Sequence, residues 1–273
     1  MDLKNLDMEN IRPTVLITGA TSGIGLELAR LFAKDNYKIL LVARNERELE
    51  ATSATLRQNG FPEVKVFATD LFERDAAIEL YQEISGMGIQ VDILVNNAGQ
   101  GAYGKFIDID LADELSIIQL NISSLVSLTK FFARDMVARG NGRILNVASI
   151  AGKTPGPWQA VYHGTKAFVH SFNVALNNEL KGTGVTVTSL LPGATDTDFF
   201  HKAGMESSKV VVEGELANPA DVAKDGYDAL MAGKDMVVSG FKNKLNVAMG
   251  NVTPDSAQAS MMEKQQRPAD HKR

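Results

Sequence analysis

The sequence predicts an α/β chain built as a Rossmann-type, doubly wound parallel sheet with helices on both faces. Three observations carry that prediction. Short apolar, β-branched runs alternate with segments of helical periodicity along most of the 273 residues. The second run, Tyr37–Ala43, is apolar at consecutive positions, as a strand covered on both faces would be. A glycine-rich turn joins the first run to the first helix, where a doubly wound sheet opens its ligand crevice.

The elements follow in order. Thr14–Thr18 is the first strand, and Leu26, Leu28, Ala29, Leu31 and Phe32 fall at helical spacing after the turn. Tyr37–Ala43 is the second strand, and Asn45 caps a helix reaching about Asn59. Val64–Ala68, Val91–Val95, Arg143–Ala148, Val185–Leu191 and Met236–Ser239 are the third to seventh strands. Helices are expected over Glu73–Ser85, Asp110–Arg139, Ala160–Lys181 and from Pro219 onward. Alternation of this kind implies right-handed crossovers and a parallel sheet. No linker or internal repeat divides the chain. We therefore expect an extension over 1–12, one domain over 13–242 with a lid at 193–216, and a tail over 243–273. The tail is polar and reads as a frayed end.

Composition narrows the function. Lys and Arg number 28 against 33 Asp and Glu, a net charge of −5, so no basic surplus exists to clamp nucleic acid. The absence of cysteine rules out disulfides, thiolate catalysis and cysteine-ligated metals. The four histidines lack metal-ligand spacing, so no metal is expected. No apolar run of membrane-spanning length is read, and Met1–Arg12 lacks the apolar core of a secretion signal. A cytoplasmic location is the expectation.

Thr18-Gly19-Ala20-Thr21-Ser22-Gly23-Ile24-Gly25 sits between strand and helix. Glycine permits a tight turn and lets backbone approach a pyrophosphate, and the helix N-terminus offers free N–H groups to the anion. The spacing differs from G-x-G-x-x-G, and a plain turn is the competing reading. The second strand ends Val42-Ala43-Arg44, with no carboxylate for a ribose 2′-hydroxyl. Arg44 suits a 2′-phosphate, hence NADP; otherwise it is a surface arginine near a helix start. Asp70 and Leu71 follow the third strand, where the carboxylate could accept from an adenine amino group or simply cap the helix after Leu71.

Chemistry-bearing residues gather at the same sheet edge. Asn96-Asn97-Ala98-Gly99 ends the fourth strand and Ser149 the fifth, while Tyr162 and Lys166 share one helix face. A free phenol titrates near ~10, so a neighbouring ammonium and an oxidised nicotinamide should pull Tyr162 down. Tyr162 would then exchange a proton with a carbonyl oxygen that Ser149 holds. Lys166 would reach the nicotinamide ribose. Asn121, a poor helix former inside a long helix, could bind a water relaying protons to Lys166. Each residue alone has a duller explanation in packing, solvation or capping.

In order and spacing these motifs resemble the short-chain dehydrogenase/reductase family, over about Pro13 to Gly240. The resemblance implies a seven-stranded sheet, hydride transfer at a nicotinamide, and a catalytic set of Asn121, Ser149, Tyr162 and Lys166. It implies that Asn97, Ala98 and Gly99 line the cofactor cleft. After Pro192-Gly193, Thr195 backbone and the Thr197 hydroxyl would hold the carboxamide. Arg44 matches the NADP-favouring subgroup. The family also pairs its long helices between subunits. Here those carry Leu125, Leu128, Phe131 and Phe132 on one and Phe168, Phe172 and Leu176 on the other, so a homodimer or homotetramer is expected. Substrate contacts would come from Gln100–Phe106, Ile150–Trp158 and the lid. Tyr103, Phe106, Trp158, Phe199, Phe200 and Met205 make these mostly apolar, which suits an apolar or amphipathic carbonyl compound. His163 diverges from Tyr162 on its helix and reads as structural, and His201 as solvent-exposed. The expected activity is an NADP(H)-dependent carbonyl reductase or alcohol dehydrogenase. An NAD-dependent relative, or a sensor or scaffold with vestigial chemistry, is the alternative.

Overall fold

The computed structural model describes residues 12–60, 63–250 and 252–269. Its strands are β1 Thr14–Thr18, β2 Lys38–Ala43, β3 Val64–Ala68, β4 Ile93–Asn96, β5 Gly142–Val147, β6 Val185–Leu191 and β7 Met236–Val238. They form one parallel sheet in the order β3-β2-β1-β4-β5-β6-β7. The chain steps outward from β1 to β3, then crosses back to lay β4 on the other side of β1. Loops leaving β1 and β4 therefore diverge and open a crevice at the carboxyl edge.

The intervening helices are α1 Gly23–Lys34, α2 Glu46–Gln58, α3 Ala76–Gly86, α4 Leu111–Ile118, α5 Leu125–Ala138 and α6 Ala160–Glu179. Beyond β6 come α7 Phe199–Lys202, α8 Lys209–Val212, α9 Pro219–Met231, α10 Phe241–Gly250 and α11 Asp255–Gln266. The strand pleat sorts the core into two layers. Val15, Ile17, Ile39 and Leu41 pack with Leu28 and Phe32 of α1 and Val222 and Leu230 of α9. Leu16, Leu40 and Val42 pack with Leu80 and Ile84 of α3 and Leu128, Phe132 and Met136 of α5. This is why the strands read as unbroken apolar runs: alternate side chains serve opposite cores. Asn45 caps α2, accepting from Arg47 and Glu48 N–H at 3.0 and 3.3 Å, and Asp110 caps α4, accepting from Ala112 N–H at 2.8 Å.

The helix expected over Asp110–Arg139 is not one regular α-helix. Gln119–Ser124 forms a π turn between α4 and α5, with Asn121 inside it. Leu111–Ala138 taken together is long and apolar enough to cross a membrane by length and composition. Here it lies along the sheet, with Leu125, Leu128, Phe132 and Met136 buried against it. Most of the residues expected to pair subunits are spent the same way. Phe131 stacks on Tyr81 at 4.7 Å, and Phe168, 41% exposed, stacks on Phe172.

The end read as frayed is helical through Gln266 and returns to the body. Ser208 bridges to Pro268, Lys209 N–H donates to the Arg267 carbonyl at 3.1 Å, and Ala269 N–H donates to the Ser207 carbonyl at 2.7 Å. The α11 sequence, DSAQASMMEKQQ, has no apolar stripe, and backbone and amide hydrogen bonds anchor its end. Hydrophobic periodicity is blind to that kind of docking.

Candidate active site

A cleft of about 1210 Å³ opens at the carboxyl edge of the sheet. The glycine turn, the ends of β2, β4, β5 and β6, one face of α6, the lid and the C-terminal helices line it.

The turn is built by close approach. Gly19 has φ +64°, which favours glycine, and its N–H donates to the Val42 carbonyl at 2.8 Å. A Cβ on Gly25 would sit 2.2 Å from the Gly19 carbonyl oxygen and 2.5 Å from Asn97 Nδ2. Thr21, Ser22, Gly23 and Ile24 line the cleft. Ser22 caps nothing in its own helix, and the first turn of α1 has no acidic side chain. A phosphate fits this end, because N–H groups and hydroxyls face the cleft without a competing carboxylate.

Thr18 has a different role from the expected cofactor contact. It is 1% exposed and does not line the cleft. Its Oγ1 accepts from Asn97 and Ala98 N–H, both at 3.0 Å, and donates to the Val95 carbonyl at 3.4 Å. Asn97 Nδ2 answers by donating to the Thr18 and Gly19 carbonyls at 3.0 and 2.9 Å. This lacing holds the ends of β1 and β4 together at the crevice. Thr18→Val should leave the Ala98 N–H unpaired and the Asn97 N–H with only its 3.2 Å bond to the Val95 carbonyl, lowering unfolding free energy by about 2 kcal/mol in a denaturant titration, with Thr18→Ser close to wild type.

At the far end Arg44 lines the cleft, its guanidinium 4.7 Å from the Phe72 ring centroid. Leu71 and Thr69 line it too, and Thr69 carried no sequence signal. Asp70 does not; its Oδ1 accepts from Phe72 N–H at 3.1 Å, closing a turn ahead of α3 rather than capping that helix, whose N-cap position is Asp75.

The reactive end brings Ser149, Tyr162 and Lys166 together. Ser149 is hydrogen-bonded to the Tyr162 phenol. Ser149 Oγ also accepts from Ala151 N–H at 3.0 Å and donates to the Pro192 carbonyl at 3.4 Å. Lys166 Nζ donates to the Val147 carbonyl at 2.8 Å and lies 5.8 Å from the Tyr162 ring centroid. Gly99 admits both Lys166 Nζ and Asn121 Oδ1, since a Cβ there would meet them at 3.2 and 3.3 Å.

Burial and hydrogen bonding set the state of these side chains. Burial pushes the Tyr162 phenol up to about 12, with the Ser149 hydrogen bond pulling the other way. The same burial lowers Lys166 to about 8, because desolvation disfavours phenolate and ammonium alike. Both N–H donors of the Asn121 amide are engaged. Its Nδ2 donates to the Gln100 carbonyl at 2.8 Å and to Thr165 Oγ1 at 3.0 Å, and its Oδ1 accepts from Gln100 N–H at 3.0 Å. Through its side chain Asn121 clamps the loop after Gly99.

Ala98, Pro192, Gly193, Thr195 and Thr197 all line the cleft, as do Phe199, Phe200 and Met205. The Phe199 ring centroid lies 5.0 Å from that of Tyr162. Tyr103 and Trp158 do not line it: they stack at 5.6 Å, and the Tyr103 hydroxyl donates to the Gln266 carbonyl, bracing α11. Phe106 is 61% exposed outside it. His163 is buried, with Nδ1 at 2.8 Å from the Thr154 carbonyl, and His201 is exposed beside Glu206. Gln159, Met262 and Gln266 line the cleft and went unread, the last two because they lie in the tail.

Residues 13–207 match the family model of the short chain dehydrogenases. The chain is 30% identical over 243 residues to ketoacyl reductase HetN of a Nostoc species, covering 88% of this chain and 79% of that one. It is 38% identical over 187 residues to sulfoacetaldehyde reductase 2 of Chromohalobacter salexigens, covering 68% and 73%. A short-chain dehydrogenase from Sphingobium yanoikuyae, solved in complex with NADPH, superposes with a TM-score of 0.79 at 29% identity, covering 94% of this chain and 99% of that one. By family model, relatives and fold, this chain is a member of the short-chain dehydrogenase/reductase family, oxidoreductases built on a nicotinamide-dinucleotide-binding Rossmann fold.

Proposed function

We propose that the protein is an NADP(H)-dependent oxidoreductase acting between a carbonyl and a secondary alcohol, with reduction of an apolar or amphipathic ketone or aldehyde as the favoured direction. The observation that carries this reading is the Tyr162 phenol, hydrogen-bonded to Ser149 within the cleft with Lys166 behind it. When bound, the nicotinamide supplies or accepts the hydride. Ser149 and Tyr162 hold the substrate oxygen, and Tyr162 passes it a proton. A phenol held near 12 keeps its proton at neutral pH, which suits a donor. Lys166 stands over the ring as the nearby cation and reaches toward Gly99, where the ribose would lie. Asn121 is a positioning residue that fixes the Gln100 backbone against α6.

NADP is preferred in this reading because Arg44 follows β2 with no carboxylate at Ala43. Stacking on Phe72 holds the guanidinium at the cleft wall. Arg44→Asp should weaken NADP binding about tenfold to a hundredfold while changing NAD binding far less. Equal losses, measured by calorimetry, would remove the 2′-phosphate assignment. The relatives named as reductases and the NADPH-bound neighbour support the same direction and cofactor. We also propose a cytoplasmic dimer or tetramer that covers the exposed Leu111, Leu115, Phe168 and Val174 of α4 and α6. A monomer by light scattering would reject the assembly.

A further inference from the structure

We propose that Gln159 and Gln266 form a donor–acceptor pair that recognises a neutral hydroxyl or carboxamide on the substrate, beside the carbonyl handled by Tyr162. The proposal rests on the oxidoreductase reading above and names its substrate class.

The orientation of both amides follows from one carbonyl. The Thr154 carbonyl can only accept, so His163 Nδ1, 2.8 Å away, carries the proton. Burial favours the neutral ring, which leaves Nε2 as an acceptor. Gln266 Nε2 lies 2.9 Å from it and must donate. That choice turns Gln266 Oε1 away. The second N–H of Gln266 points at Gln159 Oε1, 3.5 Å off, which in turn directs Gln159 Nε2 away from the pair. Neither Gln266 Oε1 nor Gln159 Nε2 has a hydrogen-bond partner among the described residues. Both side chains are 4% exposed, and both residues line the cleft.

Gln159 Nε2 is aimed at the reactive end. A Cβ built on Gly101 would lie 3.2 Å from it, 3.3 Å from Tyr162 Cδ2 and 3.1 Å from Phe199 Cζ. Buried amide groups without partners destabilise a fold. Here one donor and one acceptor, on two cleft-lining residues at the start of α6 and the end of α11, are buried and left without partners. A hydroxyl or carboxamide satisfies both. A carboxylate accepts from Gln159 but sets its lone pairs against Gln266 Oε1, and a hydrocarbon leaves both unpaired.

The test uses ketones in isosteric pairs with NADPH. In one series the hydroxyl stands progressively further from the carbonyl: 2-hydroxyacetophenone, 3-hydroxypropiophenone and 4-hydroxybutyrophenone against propiophenone, butyrophenone and valerophenone. Benzoylacetamide is paired with benzoylacetate. The expected result is a kcat/KM preference of roughly tenfold or more for the hydroxyl at one chain length, and for the amide over the acid. Gln159→Leu and Gln266→Met should each collapse that ratio toward one, whatever the absolute rates. Gln159→Leu should lower the melting temperature only slightly, because its Nε2 has no partner to lose and its Oε1 gives up only the long 3.5 Å bond from Gln266 Nε2. No preference at any chain length, or a preference surviving both substitutions, overturns the proposal. If no ketone is reduced, the reduction reading fails by itself, and the pair is judged by calorimetry on the corresponding diols against the simple alcohols. Tighter binding of a diol, lost in Gln159→Leu, sustains the pair; equal binding or none overturns it.

Discussion

Tyr162→Phe should lower carbonyl reduction by roughly 10²- to 10⁴-fold while leaving NADPH affinity within a few-fold of wild type. The phenol is hydrogen-bonded to Ser149, and its removal takes away the assigned proton donor while keeping the ring that packs against Phe199. The pH dependence follows from the direction of its shift. Burial raises the phenol to about 12, so the donor form persists through neutral pH and reduction should be flat there, declining only toward alkaline pH. Oxidation of the alcohol needs the phenolate and should rise with pH. Lys166, lowered to about 8, loses its charge in the same alkaline range and with it the pull that favours phenolate. Oxidation should therefore rise less steeply above that point. A Tyr162→Phe enzyme that reduces ketones at the wild-type rate would remove the proton-donor assignment.

Gly25→Ala should damage the cofactor cleft severely. The new Cβ would lie 2.2 Å from the Gly19 carbonyl oxygen, and that oxygen already accepts from Asn97 Nδ2 at 2.9 Å. The turn cannot yield without breaking the lacing between β1 and β4. Stability should fall by about 3 kcal/mol, and dinucleotide binding by a hundredfold or more as the first N–H groups of α1 move. Gly86→Ala is the control, because a Cβ there meets nothing within 4 Å. It should be neutral or slightly stabilising. Wild-type cofactor affinity in Gly25→Ala, read by calorimetry, would show that the turn does not hold the phosphate.

The strands were legible because each side of the sheet is covered by helices. Leu16 and Ile17 are both buried, in opposite cores, and the sequence at β1 states this as plain consecutive hydrophobicity. Ser149, Tyr162 and Lys166 were legible for a related reason. A strand end and one face of a helix have places set by backbone periods, and both deliver their side chains to the carboxyl edge. Thr18 was assigned to the right turn but to the wrong partner, since only pairing β1 with β4 shows that its hydroxyl serves Asn97 and Ala98. Tyr103 and Trp158 were read as substrate contacts because aromatic loop residues look alike until their neighbours are known. They stack on each other and brace α11.

By itself the sequence determined the doubly wound sheet, the glycine turn against the end of β4, and the line of Ser149, Tyr162 and Lys166. These rest on short-range periodicity and steric demands that each residue carries with it. Only the tertiary structure decided what the tail does. Gln266 meets His163 across 103 positions of chain, through an amide whose orientation depends on a ring proton held by Thr154. No local pattern encodes such a contact, because its energy comes from polar groups that must find one another after the backbone has folded.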